Sequence, residues 1–257
     1  MLLAIDVGNT TINLGVFEGE ELRSTWHLAT EVHRLADEYA AVLLDLLTHQ
    51  GLTPSQVSEA VICSVVPPLI TTFRELCQRY FKVDPLVVEA GVRTGVNIRM
   101  DNPREVGADR VTNAVAGHRL YGGPLIVIDF GTATTFDYVS PKGEYMGGAI
   151  APGVLVATEA LFQKASKLPR VEVSAPQRVI GRNTVHSIKS GIFYGYVGLV
   201  EGIIRRMAEE VGSRPFVVAT GGLAPLMASA TTAIDAVDEF LTLKGLRIIY
   251  ERNREKK

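Results

Sequence analysis

Two short apolar runs in the chain end in the same way. Leu2-Leu3-Ala4-Ile5 leads into Asp6-Val7-Gly8-Asn9-Thr10-Thr11, and Leu125-Ile126-Val127-Ile128 leads into Asp129-Phe130-Gly131-Thr132-Ala133-Thr134-Thr135. An unbroken apolar run bounded by turn residues predicts a strand buried on both faces. Around the first run the pattern predicts strands at 2–6, 12–18 and 21–29, with Glu18-Gly19-Glu20 as a tight turn. A helix follows, with Leu35, Tyr39, Val42 or Leu43, and Leu46 on one face. Thr53-Pro54-Ser55-Gln56 reads as a capping box. Next come a strand at 60–65, a break at Pro67-Pro68, a helix at 69–81 and a strand at 83–88.

After Gly117–Gly123 the pattern restarts. Strands are predicted at 125–129, 134–139 and 144–150, the last two joined by the turn Ser140-Pro141-Lys142-Gly143. Helices at 153–165 and 183–211, a strand at 216–219, the pair Gly221-Gly222, and helices near 223–230 and 237–244 complete the chain. Strand triplets followed by alternating helices and strands, occurring twice, predict two α/β domains with a mixed sheet each, 1–117 and 118–257. No low-complexity linker separates them, so the two are expected to pack closely around a cleft.

Composition narrows the possible functions. The 257 residues, 47% hydrophobic and 21% charged, suffice for a substantial core. A net charge of −2 gives no basic field for nucleic acid and no polybasic patch for a membrane surface. The tail Glu251–Lys257 is charged with mixed signs and reads as a solvated terminus. Cys63 and Cys77 are the only cysteines, and Cys63 lies in an apolar run, so both read as buried thiols. Asp6 interrupts the opening apolar run too early for a signal peptide, and no stretch approaches membrane-spanning length. The expected location is the reducing cytoplasm.

The polar ends of the two strands carry the candidate chemistry. Glycine lets backbone amides approach a phosphate, hydroxyls add hydrogen bonds, and a strand-end carboxylate can hold a hydrated cation. Taken singly, each is equally a hairpin turn with Asp and Thr as turn formers; their repetition at corresponding places favours a shared function. Asp129-Phe130-Gly131 spells a protein-kinase triplet, but the catalytic-loop and glycine-loop partners of that motif are missing from the sequence. Gly221-Gly222 after a strand fits either a bare backbone against a nucleoside or a tight turn. In Asp101–Arg110, Asn102 caps, Pro103 starts a helix, Glu105 completes the box, and Gly107 marks a bend or the close approach of a ligand. Asp109 and Asn113 then share a helix face. Asp109-Arg110 is either an exposed ion pair or a base beside an anion clamp.

These motifs, in this order and joined by Gly147-Gly148-Ala149-Ile150-Ala151-Pro152-Gly153 and Gly181-Arg182-Asn183-Thr184, resemble the bacterial type III pantothenate kinases. That family lies in the acetate-kinase, heat-shock-protein-70 and actin superfamily, and the resemblance runs essentially end to end. It implies two duplicated ribonuclease-H-like domains, the actin-like ATPase fold, around an interdomain cleft. It also implies ATP-dependent conversion of pantothenate to 4'-phosphopantothenate, the first step of coenzyme A biosynthesis. Carried over by residue, Asp6, Val7, Gly8, Asn9, Thr10, Thr11, Ile12 and Asn13 match the ATP phosphate loop, joined by Thr132. Asp109 matches the proton acceptor. Met100, Gly107, Ala108, Asp109, Arg110 and Thr184 match the pantothenate site, and Asp129 the ligand of a monovalent cation, potassium or ammonium. Mg²⁺ accompanies ATP, and the family is homodimeric, with Thr184 reaching the neighbour's site. The chain departs from the pattern at Met100, where tyrosine is usual, and at Asn13, where lysine is common. Another kinase of the superfamily and a non-catalytic regulator of transcription are the competing readings. The second lacks a DNA-binding helix pair.

Overall fold

The computed structural model describes residues Met1–Arg254. By compactness the chain divides into two units, one of Met1–Val96, Asp101–Ala116 and the C-terminal segment from Leu241, the other of Asn97–Met100 and Gly117–Phe240.

The first unit is built on a five-stranded sheet. Strands β1 (Leu2–Val7), β2 (Thr11–Glu18) and β3 (Glu21–Ala29) are antiparallel; β4 (Glu59–Ser64) runs parallel to β1 and β5 (Leu86–Val87) parallel to β4. The order is β3-β2-β1-β4-β5. β1 is central and buried throughout, which explains its apolar run Leu2–Ile5, whereas β3 is an edge strand with mixed exposure. Helices α1 (Ala36–His49) and α2 (Pro67–Leu76) cover the face carrying Leu3, Ile5, Val7, Ile12 and Leu14. The buried stripe of α1 is Ala36, Tyr39, Ala40, Leu43 and Leu47; of the face expected from the sequence it keeps Tyr39 and Leu43 and leaves out Leu35, Val42 and Leu46. Leu35 stands outside the helix as its N-cap, so the stripe rotates by one position. α2 widens into a π-helical turn, Cys77–Phe81, and ends at Lys82 in the left-handed region. The capping box at Thr53 forms, with Thr53 N donating to Gln56 Oε1 at 2.7 Å, but it caps only the short turn Pro54–Gln56.

The second unit repeats this topology. β6 (Asn97–Ile98) pairs with the far edge of the sheet. Within the sheet, β7 (Leu125–Phe130), β8 (Ala133–Val139) and β9 (Glu144–Pro152) are antiparallel, while β10 (Phe216–Thr220) and β11 (Ala236–Val237) extend it in parallel. The order β9-β8-β7-β10-β11 reproduces β3-β2-β1-β4-β5. Asp129 of β7 thereby occupies the place of Asp6 in β1. Helices α4 (Val154–Lys164), α5 (Thr184–Val211) and α6 (Ala224–Ala228) belong to this unit, and the stripe Phe193, Tyr196, Val197, Val200 and Ile204 of α5 is buried in its core.

Three expectations change. The helix foreseen from Pro103 is a single 3₁₀ turn, Pro103–Glu105, followed by extended Val106; α3 begins only at Ala108 and runs to Tyr121. The helix foreseen at 237–244 starts later, as α7 (Leu241–Arg254), because Ala236–Val237 joins the sheet and Asp238 Oδ1 caps the amide of Phe240 at 3.2 Å. Finally, α7 packs on β1, β2 and β4, so the division at 117/118 assigns it to the other half of the chain from the one it packs in. With α1 and α2 on one face, the second face of this doubly buried sheet still needs a helical layer, which α7 supplies with Leu241, Leu243, Leu246 and Ile249. Of the charged tail, 251–254 continue α7, and 255–257 lie outside the described residues.

Candidate active site

In the first unit, the turn after β1 is shaped by Gly8. Its amide donates to Thr11 O at 3.0 Å, and a Cβ at this position would stand 2.9 Å from the same oxygen. In the second unit, Gly131 N donates to Ala133 O at 3.0 Å. Both glycine amides close their own turns, so these glycines shape the loop rather than donate to a ligand. Asn9, Thr10 and Thr11 are exposed at the tip, and Val7 and Ile12 anchor the turn in the core. Thr30 braces it from the end of β3: its amide donates to Thr10 O at 3.0 Å and its hydroxyl to Gly8 O at 2.7 Å.

Asp6 is 7% exposed. Its Oδ2 accepts from Asn13 Nδ2 at 2.9 Å. Burial pushes its pKa up to about 7, with the Asn13 hydrogen bond opposing and the charge of Asp109 adding to the rise. Burial disfavours a carboxylate, and a second carboxylate in range disfavours it further.

Asp109 stands in the first turn of α3. A Cβ on Gly107 would collide with Asp109 Oδ1, so the bare glycine is the seat of that carboxylate. Where the sequence predicts a bend or the approach of a ligand, the group that comes close to Gly107 is the Asp109 carboxylate. The backbone amide of Arg110 donates to Asp109 Oδ1 at 2.8 Å. Burial holds the Asp109 pKa above the ordinary carboxylate value, while the Arg110 amide and guanidinium pull it down. Asn113, expected on the same face, is fully buried, and its Oδ1 accepts from Thr242 Oγ1 of α7 at 2.7 Å. Thr112 Oγ1 donates to Ala108 O at 2.7 Å, steadying the helix start. Cys63 is buried; burial and the nearby charges of Asp6 and Asp109 push its thiol well up, so it is no nucleophile. The structure therefore brings Asp6, Asn13, Gly107, Ala108 and Asp109 together within one unit.

In the second unit, Gly221 adopts φ +88°, and a Cβ there would lie 2.7 Å from Asp129 Oδ1 and from Phe130 O. A side chain at 221 would displace the strand-end carboxylate, which decides that glycine's role. Gly153 N donates to Thr132 O at 3.1 Å, tying the exposed Thr132 to the end of β9. Met100 Sδ sits against Gly147. Thr184 is the exposed first residue of α5, whose N-cap Asn183 accepts from His186 N at 2.8 Å. Among the described residues no group of three or more His, Cys, Asp or Glu side chains could hold a metal ion by itself. Sequence reasoning missed Thr30 and His27, whose link to the turn is visible only once the strands are paired.

The family model of the type III pantothenate kinases matches residues 2–206. A type III pantothenate kinase from Dehalococcoides mccartyi is 54% identical over 253 residues, covering 98% of both chains. The chain belongs to the type III pantothenate kinase family. Among solved structures, a conserved Campylobacter jejuni protein assigned to the Baf family of transcriptional activators superposes with TM-score 0.63 at 18% identity, covering 98% of this chain and 99% of its own. The activator of 2-hydroxyisocaproyl-CoA dehydratase from Clostridium difficile, solved with bound ADPNP, superposes with TM-score 0.56 at 11% identity over 100% and 98%. Likeness at such identities speaks to the fold, the duplicated ribonuclease-H-like arrangement of actin-like ATPases, which other kinases share.

Proposed function

We propose that Asp109 is the general base of this enzyme. As a type III pantothenate kinase it transfers the γ-phosphoryl group of ATP to pantothenate, making 4'-phosphopantothenate for coenzyme A biosynthesis. The observation that carries the assignment is the seating of the Asp109 carboxylate on bare Gly107, held by the Arg110 amide and within electrostatic range of Asp6. A base fixed in position and raised toward neutrality suits abstraction of the proton from a primary hydroxyl. Arg110, beside it, is the clamp for the pantothenate carboxylate, with Met100, Gly107, Ala108 and Thr184 as further substrate contacts. Residues 6–13 are the phosphate loop, and Thr132 is a further nucleotide contact.

Mg²⁺ accompanying ATP fits this donor set. Asp6, a buried strand-end carboxylate, would offer the ion one hard oxygen beside those of the phosphates, leaving Asp109 free as the base. When bound, the ion neutralises the phosphates; orienting the hydroxyl and excluding water remain tasks for the chain. Asp129, pinned under Gly221, is the ligand for a monovalent cation, potassium or ammonium. Asp129→Ala is expected to abolish stimulation by potassium together with most activity; a variant still stimulated as before places the ion elsewhere. A cytoplasmic location fits this chemistry, and no helix of the described residues is long and apolar enough to cross a membrane.

The enzyme works as a homodimer in this reading. Met146 and Ile150 of β9, Leu155, Val156, Leu161 and Phe162 of α4, and Val185 beside Thr184 are exposed apolar side chains of the second unit. The stripe of α5 centred on Phe193 and Tyr196 is used inside its own unit, so it is the Thr184 end of the helix that is left for the neighbour. Mixing inactive Asp109→Asn chains with inactive Thr184→Arg chains is expected to restore activity, because one of the two mixed sites is intact. A verified heterodimer without activity places both residues on a single subunit's site. Transfer of labelled γ-phosphate to pantothenate, and not to sugars or acetate, tests the reaction itself.

A further inference from the structure

Asp6, Asn13 and His27 lie side by side across three strands. The register pairs Asp6 of β1 with Asn13 of β2, and Asn13 with His27 of β3. The row is hydrogen-bonded throughout: Asn13 Nδ2 donates to Asp6 Oδ2 at 2.9 Å, and Asn13 Oδ1 meets His27 Nδ1 at 2.9 Å. An amide has one donor end and one acceptor end. With its NH₂ given to Asp6, Asn13 presents only its carbonyl oxygen to His27, so Nδ1 must carry a proton and donate. The ring stands exposed at the edge strand, and the carboxylate at the other end is buried.

We propose that His27 is a positioning residue for the nucleotide site: by donating to Asn13 it holds the amide against the Asp6 carboxylate at the mouth of the phosphate turn. An Asn side chain rotated by half a turn has the same shape and the opposite polarity, and the Asp6 carboxylate selects the orientation that offers it the NH₂. Rotated, it would aim its carbonyl at the Asp6 carboxylate, two acceptors facing each other, and Asp6 would swing away from Oδ2's present place. A neutral imidazole can exchange tautomers, so Asp6 alone excludes the rotated state; what His27 adds is a second hydrogen bond, at the far end of the amide, that limits its swing. The effect is transmitted through Asn13, and His27 itself touches neither nucleotide nor substrate. The proposal rests on the assignment of Asp6 to the phosphate loop.

The test is calorimetric binding of a non-hydrolysable ATP analogue with Mg²⁺ to the full-length native chain and to His27→Phe, His27→Gln, Asn13→Ala, His27→Phe/Asn13→Ala and Asp6→Asn. Loss of one orienting hydrogen bond in His27→Phe is expected to weaken analogue binding about five-fold. The thermal midpoint and the KM for pantothenate should stay unchanged. His27→Gln, which can donate from its amide, should recover most of the loss, and in the Asn13→Ala background His27→Phe should add nothing. In the native chain, ¹H–¹⁵N spectra should show His27 protonated at Nδ1 when neutral. Unchanged analogue binding in His27→Phe, an effect that persists without Asn13, or an Nε2–H tautomer in the native chain overturns the relay alone, provided Asp6→Asn still weakens binding. If Asp6→Asn binds the analogue like the native chain, the assignment of Asp6 falls and the relay with it.

Discussion

Asp109→Asn is expected to lower kcat for pantothenate phosphorylation by about 10²–10⁴-fold, the usual worth of a positioned base. The substitution preserves shape: the side-chain oxygen of asparagine can still accept the Arg110 amide and still fits over Gly107. What disappears is the capacity to take a proton. The thermal midpoint should therefore stay near that of the native chain. ATP binding should not weaken either, since removing the Asp109 charge relieves Asp6 of a like-charged neighbour. Single-turnover kinetics with saturating ATP and pantothenate isolate the chemical step from product release. A variant that turns over at near-native rate under those conditions shows that the proton leaves by another route.

Asp6→Asn is expected to have opposite effects on the apo protein and on nucleotide binding. The folded-state pKa of Asp6 is raised, from 3.8 to about 7, so folding favours the protonated form. The associated stability is fully present below pH 3.8 and is lost as the pH rises through about 7. A shift of that size corresponds to an upper bound of ~4 kcal/mol at about 1.4 kcal/mol per unit. In nucleotide-free, chelator-treated protein, Asp6→Asn should thus remove a falling stability–pH slope between about pH 4 and 8. It should also stabilise the chain above pH 7 by ~1–4 kcal/mol, while binding of ATP with Mg²⁺ collapses. Denaturant titrations at a series of pH values give both curves. If the variant is instead less stable than the native chain at pH 8, the ionised carboxylate is well satisfied in the fold and the burial penalty assigned to it is wrong. Stabilisation by removing a functional carboxylate is the trade-off expected where a site is built from groups that folding alone would not choose.

Much of the fold was legible because its signals are local. Buried strands announce themselves as apolar runs, and the turns that end them as Asp, Gly and Thr, so both Asp-x-Gly turns and the repeat of the strand triplet could be read directly. α5 was bounded within one residue because Asn183 caps one end and Gly212, left-handed at φ 69°, closes the other. Asp109 was found as a candidate from Gly107-Ala108-Asp109-Arg110, although its helix was placed too early. Pro103 and the Asn102–Glu105 pair imitate a helix start, and only Val106, which is extended, and Gly107 separate that short turn from α3.

By itself the sequence determined the two α/β halves, the polar turns at their strand ends and, through several motifs in one order, the family. Tertiary structure alone decided three things. It sent α7 back to cover the sheet built by the first hundred residues, because that sheet has two apolar faces and the local helices fill one. It turned Ala236–Val237 into a strand, because a parallel neighbour was there to pair with. And it set Asp6, Asn13 and His27 in one row, because the register of paired strands brings together residues that no spacing along the chain relates.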